Sequence, residues 1–357
     1  MKLEIEKSDL LDALKLPTRA VPTKSPLPAL GNLLVIVQHG ALEIRGRNLD
    51  QQVASFCKAE TESFGSMCVP ASRFRNLVST MGDTILIAAK GDGLEIKSGN
   101  FKSTLWGLSA DEFPSMQKEE TEHLFNLNGI QLTDAINRCI FSASTDHTRA
   151  AINSVLFKST ASELCLVATD GRRMSVSSLE GGGAEVSASI PILAADIIAG
   201  ASKDAGSVEV KIGGSTIEVT TESTVITSKL LADPYPDYQK VMPAESLPWN
   251  KATFDRGSLI AAFKRVSLFS DKKLPALTME FKDGVLALEA HINGQGEARE
   301  EVEGTGSDFE TCVNPHYIEQ MLHSVTGDEI EFWVTDKESP LRIHAEGLVY
   351  VVMPMRK

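Results

Sequence analysis

The chain repeats itself three times. A strand-like run followed by an amphipathic helical pattern occurs at residues 2–6 and 8–14, again at 124–127 and 129–136, and again at 252–254 and 257–263. In each, apolar residues recur at i and i+4, joined by i+1 in the first and third, one face of a helix. Leu10, Leu132 and Leu259 keep the phase, 122 and then 127 residues apart. Three further matches keep step with it. Pro70, Pro191 and Pro315 each precede an apolar helical pattern, where a first-turn proline loses no hydrogen bond. Leu27-Pro28-Ala29-Leu30 recurs as Leu274-Pro275-Ala276-Leu277, and Phe113-Pro114 as Tyr235-Pro236. A period of about 120 residues is too long for a stacked solenoid, so each copy is expected to be a domain with its own core.

Within a copy the order reads strand, helix, several strands, helix, several strands. Strands are expected at 32–38, 41–45, 84–89 and 93–98; at 154–158, 164–169, 207–212 and 216–221; and at 276–281, 285–290, 329–334 and 341–345. Asp92-Gly93, Gly213-Gly214 and Asp283-Gly284 supply hairpin turns between them, and Gly181-Gly182-Gly183 reads as a hairpin tip. The fold class is α+β: three tandem domains, each with two helices on antiparallel sheets, at 1–118, 119–245 and 246–357, joined by linkers at 115–122 and 241–250.

Hydrophobic residues make up 42% of the chain and charged residues 23%, enough apolar material for three cores. The net charge of -13 lowers the expectation of nucleic-acid binding without excluding it, because a local basic lining matters more than the sum. Cys57, Cys68, Cys139, Cys165 and Cys312 form no CxxC pair and are odd in number, which argues against a disulfide framework or a zinc site and for a cytoplasmic setting. The N-terminus lacks a signal-peptide core, and no apolar run approaches the ~20 residues of a membrane span.

Motifs of catalysis are missing. The sequence holds no G-x-S-x-G, P-loop or HExxH, and no Cys/His ligand spacing. His316 and His323 share a helix face, but no third ligand is spaced to join them. The expectation is a protein that is not an enzyme, with no catalytic residues, metal or cofactor.

Two segments are specific. Val167-Ala168-Thr169-Asp170-Gly171-Arg172-Arg173-Met174 and the terminal Tyr350-Val351-Val352-Met353-Pro354-Met355-Arg356-Lys357 resemble the ATDGxRL loop and VxMPMR terminus of bacterial DNA sliding clamps, the beta subunits of DNA polymerase III. Leu27 to Leu34, Ser228-Lys229-Leu230, Pro236-Asp237-Tyr238 and Asn314-Pro315-His316-Tyr317 are similar as well. The sequence departs from the family pattern at Arg172, Met174, Lys240 and Lys357, and the helix at 191–201 has no basic residue.

The resemblance implies a processivity factor: a head-to-tail homodimeric ring around double-stranded DNA, read without sequence preference, that tethers DNA polymerase, clamp loader and other replication and repair proteins. It implies a peptide-binding pocket of Ile152, Thr169, Gly171, Arg172, Arg173, Met174, Pro236, Lys240, Val241, Val352, Met353, Pro354, Met355 and Arg356, apolar inside and rimmed by Arg173, Lys240 and Arg356. Partners of such a pocket carry short extended motifs with a glutamine and Leu or Phe anchors. DNA-facing candidates are Lys15, Arg19 and Lys24, placed after the first helix, with Arg73, Arg75, Arg138, Arg149, Lys264 and Arg265. The dimer interface is expected at Ser103 and Leu105 against Leu268, Phe269, Lys272 and Lys273. A clamp paralog acting as a plasmid, phage or repair adaptor is the alternative, and an unrecognised hydrolase the third reading.

Overall fold

A computed structural model describes residues 1–25, 27–116, 119–271 and 273–355. The first copy runs β1 (Lys2–Glu6), α1 (Lys7–Ala20), β2 (Asn32–Gln38), β3 (Ala41–Arg47), β4 (Gln51–Lys58), β5 (Glu60–Ser63), β6 (Gly65–Pro70), α2 (Ala71–Ser79), β7 (Thr84–Lys90), β8 (Gly93–Ser98) and β9 (Phe101–Trp106). The second runs β10 (His123–Asn128), α3 (Gly129–Ile140), β11 (Ser154–Ser159), β12 (Leu164–Thr169), β13 (Arg173–Leu179), β14 (Val186–Pro191), α4 (Ile192–Ser202), β15 (Ser207–Ile212), β16 (Thr216–Thr220) and β17 (Thr224–Lys229). The third runs β18 (Asn250–Asp255), α5 (Arg256–Val266), β19 (Leu277–Lys282), β20 (Val285–Ile292), β21 (Gly296–Gly306), β22 (Phe309–Val313), α6 (Pro315–Ser324), β23 (Glu329–Val334), β24 (Leu341–Ala345) and β25 (Leu348–Val352). The same order returns three times; only β5 is extra.

These elements gather into two compact units, residues 1–133 with 193–230, and 134–192 with 231–357. In the first, a five-stranded sheet is ordered β5-β1-β7-β8-β9 and an eight-stranded sheet β10-β15-β16-β17-β4-β3-β2-β6. The larger sheet is continuous across two copies because β4 pairs antiparallel with β17, Val53 opposite Ile226. The second unit is built on a twelve-stranded sheet, β14-β11-β12-β13-β25-β24-β23-β18-β21-β20-β19-β22. It too crosses a copy boundary, at β13 and β25, where Met174 lies opposite Val351.

Local pattern explains the layers. β1 alternates, burying Leu3 and Ile5, and α1 buries Leu10, Ala13, Leu14, Leu16 and Ala20. Of these, Leu3, Ile5, Leu10, Ala13 and Leu14 join Leu33, Val35, Ile44, Phe74, Ile87 and Ile96 in one core. The second unit's main core holds Phe254, Phe263, Phe281, Phe309 and Phe332 with Ile318, Leu322 and Tyr350. Phe254 touches both Phe281 and Phe332, ring centres 5.2 and 5.3 Å away, the offset and edge contacts that aromatic rings favour.

Several expectations shift. Only Pro315 occupies a first helical position; Pro70 and Pro191 are the last residues of β6 and β14, where a missing N–H is tolerated at a strand end. Gly181-Gly182-Gly183 is not a hairpin tip, since it connects β13 to β14, and β14 pairs with β11. The turn after β7 is Gly91-Asp92, with φ +58° at Gly91, because Gly93 already pairs with Lys90. Asp283-Gly284 does form a tight turn, with φ of 50° and 85°. Lys15 and Arg19 lie within α1, which runs on through Pro17 to Ala20. Residues 272 and 356, expected at the dimer interface and the pocket rim, lie outside the described residues.

Gly46 shows how closely α1 lies on β3: a Cβ there would stand 2.0 Å from the Pro17 carbonyl oxygen. Gly46→Ala is expected to cost about 1–3 kcal/mol as the helix is pushed off the sheet. A thermal melt followed by circular dichroism checks this; an unchanged midpoint would mean that α1 shifts freely.

Candidate functional site

The seam between β13 and β25 carries the most distinctive chemistry. It begins at the turn between β12 and β13. Asp170 Oδ1 accepts from the Arg172 and Arg173 N–H groups at 2.8 and 3.1 Å, and Thr169 Oγ1 donates to the Arg173 carbonyl at 2.6 Å. Gly171, at φ +88°, makes the backbone reversal that a residue with a Cβ adopts only under strain. The chain end runs beside this turn, its Met353 N–H donating to the Arg172 carbonyl at 2.9 Å and its Met355 N–H to the Cys312 carbonyl at 2.8 Å.

In an antiparallel sheet, residues directly opposite one another point to the same face. One such row crosses six strands: Thr169, Met174, Val351, Arg342, Trp333 and Lys251. After Thr169 it opens on two apolar residues. Met174 and Val351 form a cluster with Leu156, Cys165, Val167 and Tyr238, flanked by half-buried Val176, Tyr235 and Met242. Tyr235, Tyr238 and Met242 come from the segment after β17 and cover this floor. Val241 at 66% and Met353 at 49% exposure leave apolar surface open above it, with exposed Pro236 beside them.

The expected pocket residues therefore divide. Gly171, Arg172, Pro236, Lys240, Val241 and Met353 are exposed, and Thr169, Pro354 and Met355 half-buried. Met174 is floor. Ile152 is buried, its carbonyl accepting from the Ser144 N–H. Val352 departs from expectation: strand alternation turns it away from Val351 and into the core with Phe332 and Tyr350.

Arg173 departs too. It is not a rim cation but a buried tie. Its Nε donates to Asp170 Oδ2 at 3.1 Å, its terminal nitrogens bond the Phe141 carbonyl and Gln320, and its guanidinium lies 4.4 Å from the Tyr317 ring centre. Lys240 is exposed and paired with Asp237 at 3.2 Å.

The corresponding seam of the first unit, β4 with β17, repeats the turn but not the floor. Asn48 Oδ1 accepts from the Asp50 and Gln51 N–H groups at 2.9 and 2.8 Å, as Asp170 does for its own turn. The equivalent row is Gln52, Thr227, Glu218 and Lys211. That face is polar, and Lys211 is bound to Glu209 and lies 3.9 Å from Glu218. At this row no apolar pair like Met174 and Val351 lies across the seam.

The basic candidates also divide. Lys15, Lys24, Arg73, Arg75 and Lys264 are exposed. Arg19 is bonded to Asp196 and Arg265 to Glu300. Arg138 packs over Gly347, and Arg149 donates to the Asp170 carbonyl at 2.8 Å, so Arg149 belongs to the turn rather than to a free basic face. Of the interface candidates, Ser103 and Leu105 lie on β9, the last strand of its sheet. Leu268 is 75% exposed, Phe269 packs against the core, and Lys273 is exposed. Burial pushes the thiols of Cys57 and Cys68 up to about 11, away from nucleophilic use. Among the described residues no group of acidic, His or Cys side chains is arranged to hold a metal ion, and no helix is long and apolar enough to cross a membrane.

Leu156, Val167, Val176, Tyr235 and Met242 were not anticipated as site residues. The signal that finds them is strand parity together with pairing register, and register is set by the fold.

Comparison with known proteins agrees along the chain. Models of the DNA polymerase III beta subunit match in succession: the N-terminal domain at residues 1–117, the central domain at 126–237 and the C-terminal domain at 239–356. The beta sliding clamps of Escherichia coli K12 and Proteus mirabilis are 29% and 28% identical over the whole of both chains. A sliding clamp structure from Pseudomonas aeruginosa, bound to griselimycin, superposes with a TM-score of 0.93 at 26% identity, covering all of both chains. The Thermotoga maritima beta subunit gives 0.90 at 25%, covering 100% of this chain and 99% of that one.

Asp170→Ala removes the carboxylate from the buried Arg173 and is expected to destabilise the second unit by about 1–3 kcal/mol. Urea unfolding followed by tryptophan fluorescence measures it. No loss would show that the Arg173 guanidinium finds other partners.

Proposed function

The chain belongs to the DNA polymerase III beta subunit family, the beta sliding clamps, and from that premise we propose that it serves as a replicative processivity factor. It acts by binding, not by catalysis: a homodimeric ring that encircles duplex DNA and holds polymerase and other clamp-binding proteins through the β13–β25 groove. The observation that carries this reading is the unbroken succession of three clamp-domain matches, with the only apolar seam of the two described lying where the family's loop and terminus meet. The boundaries 1–118, 119–245 and 246–357 are proposed as its domains.

Strand edges support the dimer. At both seams the third strand after a copy's first helix pairs with the last strand of the next copy, β4 with β17 and β13 with β25. The strand left over is β21, which pairs with β20 along its length but with β18 only at residues 304–306. The last strand left over is β9, at a sheet edge. Joining β21 of one chain to β9 of another completes the pattern and gives the two different surfaces that head-to-tail closure needs. β21 carries Glu297, Glu300, Glu301 and Glu303, and β9 carries Lys102 with exposed Phe101 and Trp106 at its ends. Leu268 and Lys273 are proposed to flank the joint. Light scattering at micromolar concentration should give twice the 38.6 kDa chain mass; a monomer would remove the ring.

For DNA, exposed Lys15, Lys24, Arg73, Arg75 and Lys264 are proposed as the phosphate-facing set, supported by their place on or beside corresponding helices. Such contacts carry no base readout and weaken steeply with salt. A closed ring loaded on nicked circular DNA should survive high salt and be lost once the circle is cut; equal loss from both forms would contradict encirclement.

For partners, the groove suits a short extended peptide with apolar anchors. Two anchors contribute about 1.5–3 kcal/mol each before ordering costs, an affinity modest enough for exchange. Deleting residues 353–357 should weaken a fluorescent clamp-binding peptide at least about tenfold, roughly one anchor's worth, with the dimer mass intact. Unchanged affinity would refute the groove.

A further inference from the structure

The groove's covering wall does not end at Met242. The chain continues as a segment, residues 243–249, fastened to β24 and β23 at two points. Arg342, on β24, donates to the Pro243 carbonyl at 2.8 Å and to Glu245 Oε1 at 2.6 Å. Farther along, Trp249 lies 5.9 Å from Trp333 ring to ring, and its indole N–H donates to the Ala244 carbonyl at 3.0 Å. Behind Met242 the chain is closed by its own N–H donating to the Tyr238 carbonyl at 3.1 Å, and Tyr238 is part of the floor. The exposed turn bearing Lys240, Val241 and Met242 is thus held at one end by Tyr238 and at the other by Arg342.

Resting on the reading of this groove as a peptide site, we propose that Arg342 is a positioning residue: its buried guanidinium anchors the Pro243 carbonyl and so fixes how far the Val241–Met242 wall stands from the C-terminal strand. Register gives it that reach. Arg342 lies directly opposite Val351, a floor residue, and both side chains point to the same face of the sheet. It is 4% exposed, so it has no water to replace lost partners, and a guanidinium deprived of them there is costly. The bond to a main-chain carbonyl matters most. It fixes the backbone itself, whereas a side-chain pair would leave the wall free to move. On its other side Arg342 lies 5.2 Å from the Trp333 ring, which His344 stacks at 4.1 Å and Lys251 covers at 3.5 Å. This packed cluster keeps the guanidinium from swinging away from the wall. Burial and the neighbouring Arg342 cation hold the pKa of the His344 imidazole below its ordinary range. Arg342 touches no peptide in this account; it acts on affinity through the wall, by reducing what the bound state must order.

The test uses the full chain and a fluorescent pentapeptide containing glutamine with Leu and Phe anchors. Affinity, dissociation rate and dimer mass are measured for the wild type, the 353–357 deletion, Arg342→Gln, Arg342→Lys and Glu245→Gln, with hydrogen exchange over residues 238–247. Arg342→Gln should weaken binding about fivefold, chiefly through faster dissociation, and speed exchange at 238–247. Arg342→Lys, which can still reach one acceptor, should recover part of the loss, and Glu245→Gln, which keeps the Pro243 bond, should stay within about twofold. Wild-type affinity in Arg342→Gln overturns the positioning role while leaving the groove intact. Should Arg342→Gln not fold, Arg342→Lys decides: a loss of about twofold or more supports the role, and none overturns it. If the wild type and the deletion bind equally, the groove itself is wrong and this role falls with it.

Discussion

Each seam depends on one interaction, the antiparallel pairing of an inner strand of one copy with the last strand of the next. β4 with β17 and β13 with β25 turn separate four-stranded layers into long sheets. The pairing saturates edges that would otherwise invite aggregation, and it sets two copies in a fixed register. The groove follows from that register. Met174 and Val351 belong to different copies, some 177 residues apart in sequence, and meet only because their strands pair residue for residue.

The two seams share a frame and differ in what they display. Asn48 and Asp170 fold the same turn with the same pair of backbone N–H groups. Beyond the turn, one face shows Gln52, Thr227 and Glu218, and the other Met174 and Val351 backed by Leu156 and Val167. Apolar burial drives peptide anchoring, so the Met174–Val351 row is the one that favours a hydrophobic groove. On the proposed reading, the two seams differ in function through a handful of side chains, with no change in backbone plan. The linker after β17 completes the groove, since Tyr235, Tyr238 and Met242 form one wall and Arg342 ties the segment down.

Much of this was legible in the sequence. The phase of Leu10, Leu132 and Leu259 disclosed three copies, and all three leucines are buried. Strands rich in apolar and β-branched residues, such as Glu329–Val334 and Leu341–Ala345, match the sequence expectation to the residue. β21 was not anticipated, because Gly296–Gly306 is largely charged, with one face open to solvent and no apolar rhythm. Parity limited the site. Val351 and Val352 are adjacent and chemically alike, yet one is floor and the other is core of the third copy; the same holds for Arg172, exposed, and Arg173, buried. Which neighbour faces the groove depends on register with a strand of another copy, a long-range fact that no local window contains. Arg342 was invisible for the same reason, since its partners Pro243 and Glu245 lie about 100 residues away.

If one seam of the two carries the partner site, hydrogen exchange on the intact protein, with and without a saturating clamp-binding peptide, will distinguish them. Protection should appear at residues 169–174, 238–242 and 350–355 and be absent at 48–53 and 224–228. Equal protection at both seams, or protection at the first seam alone, would contradict the claim.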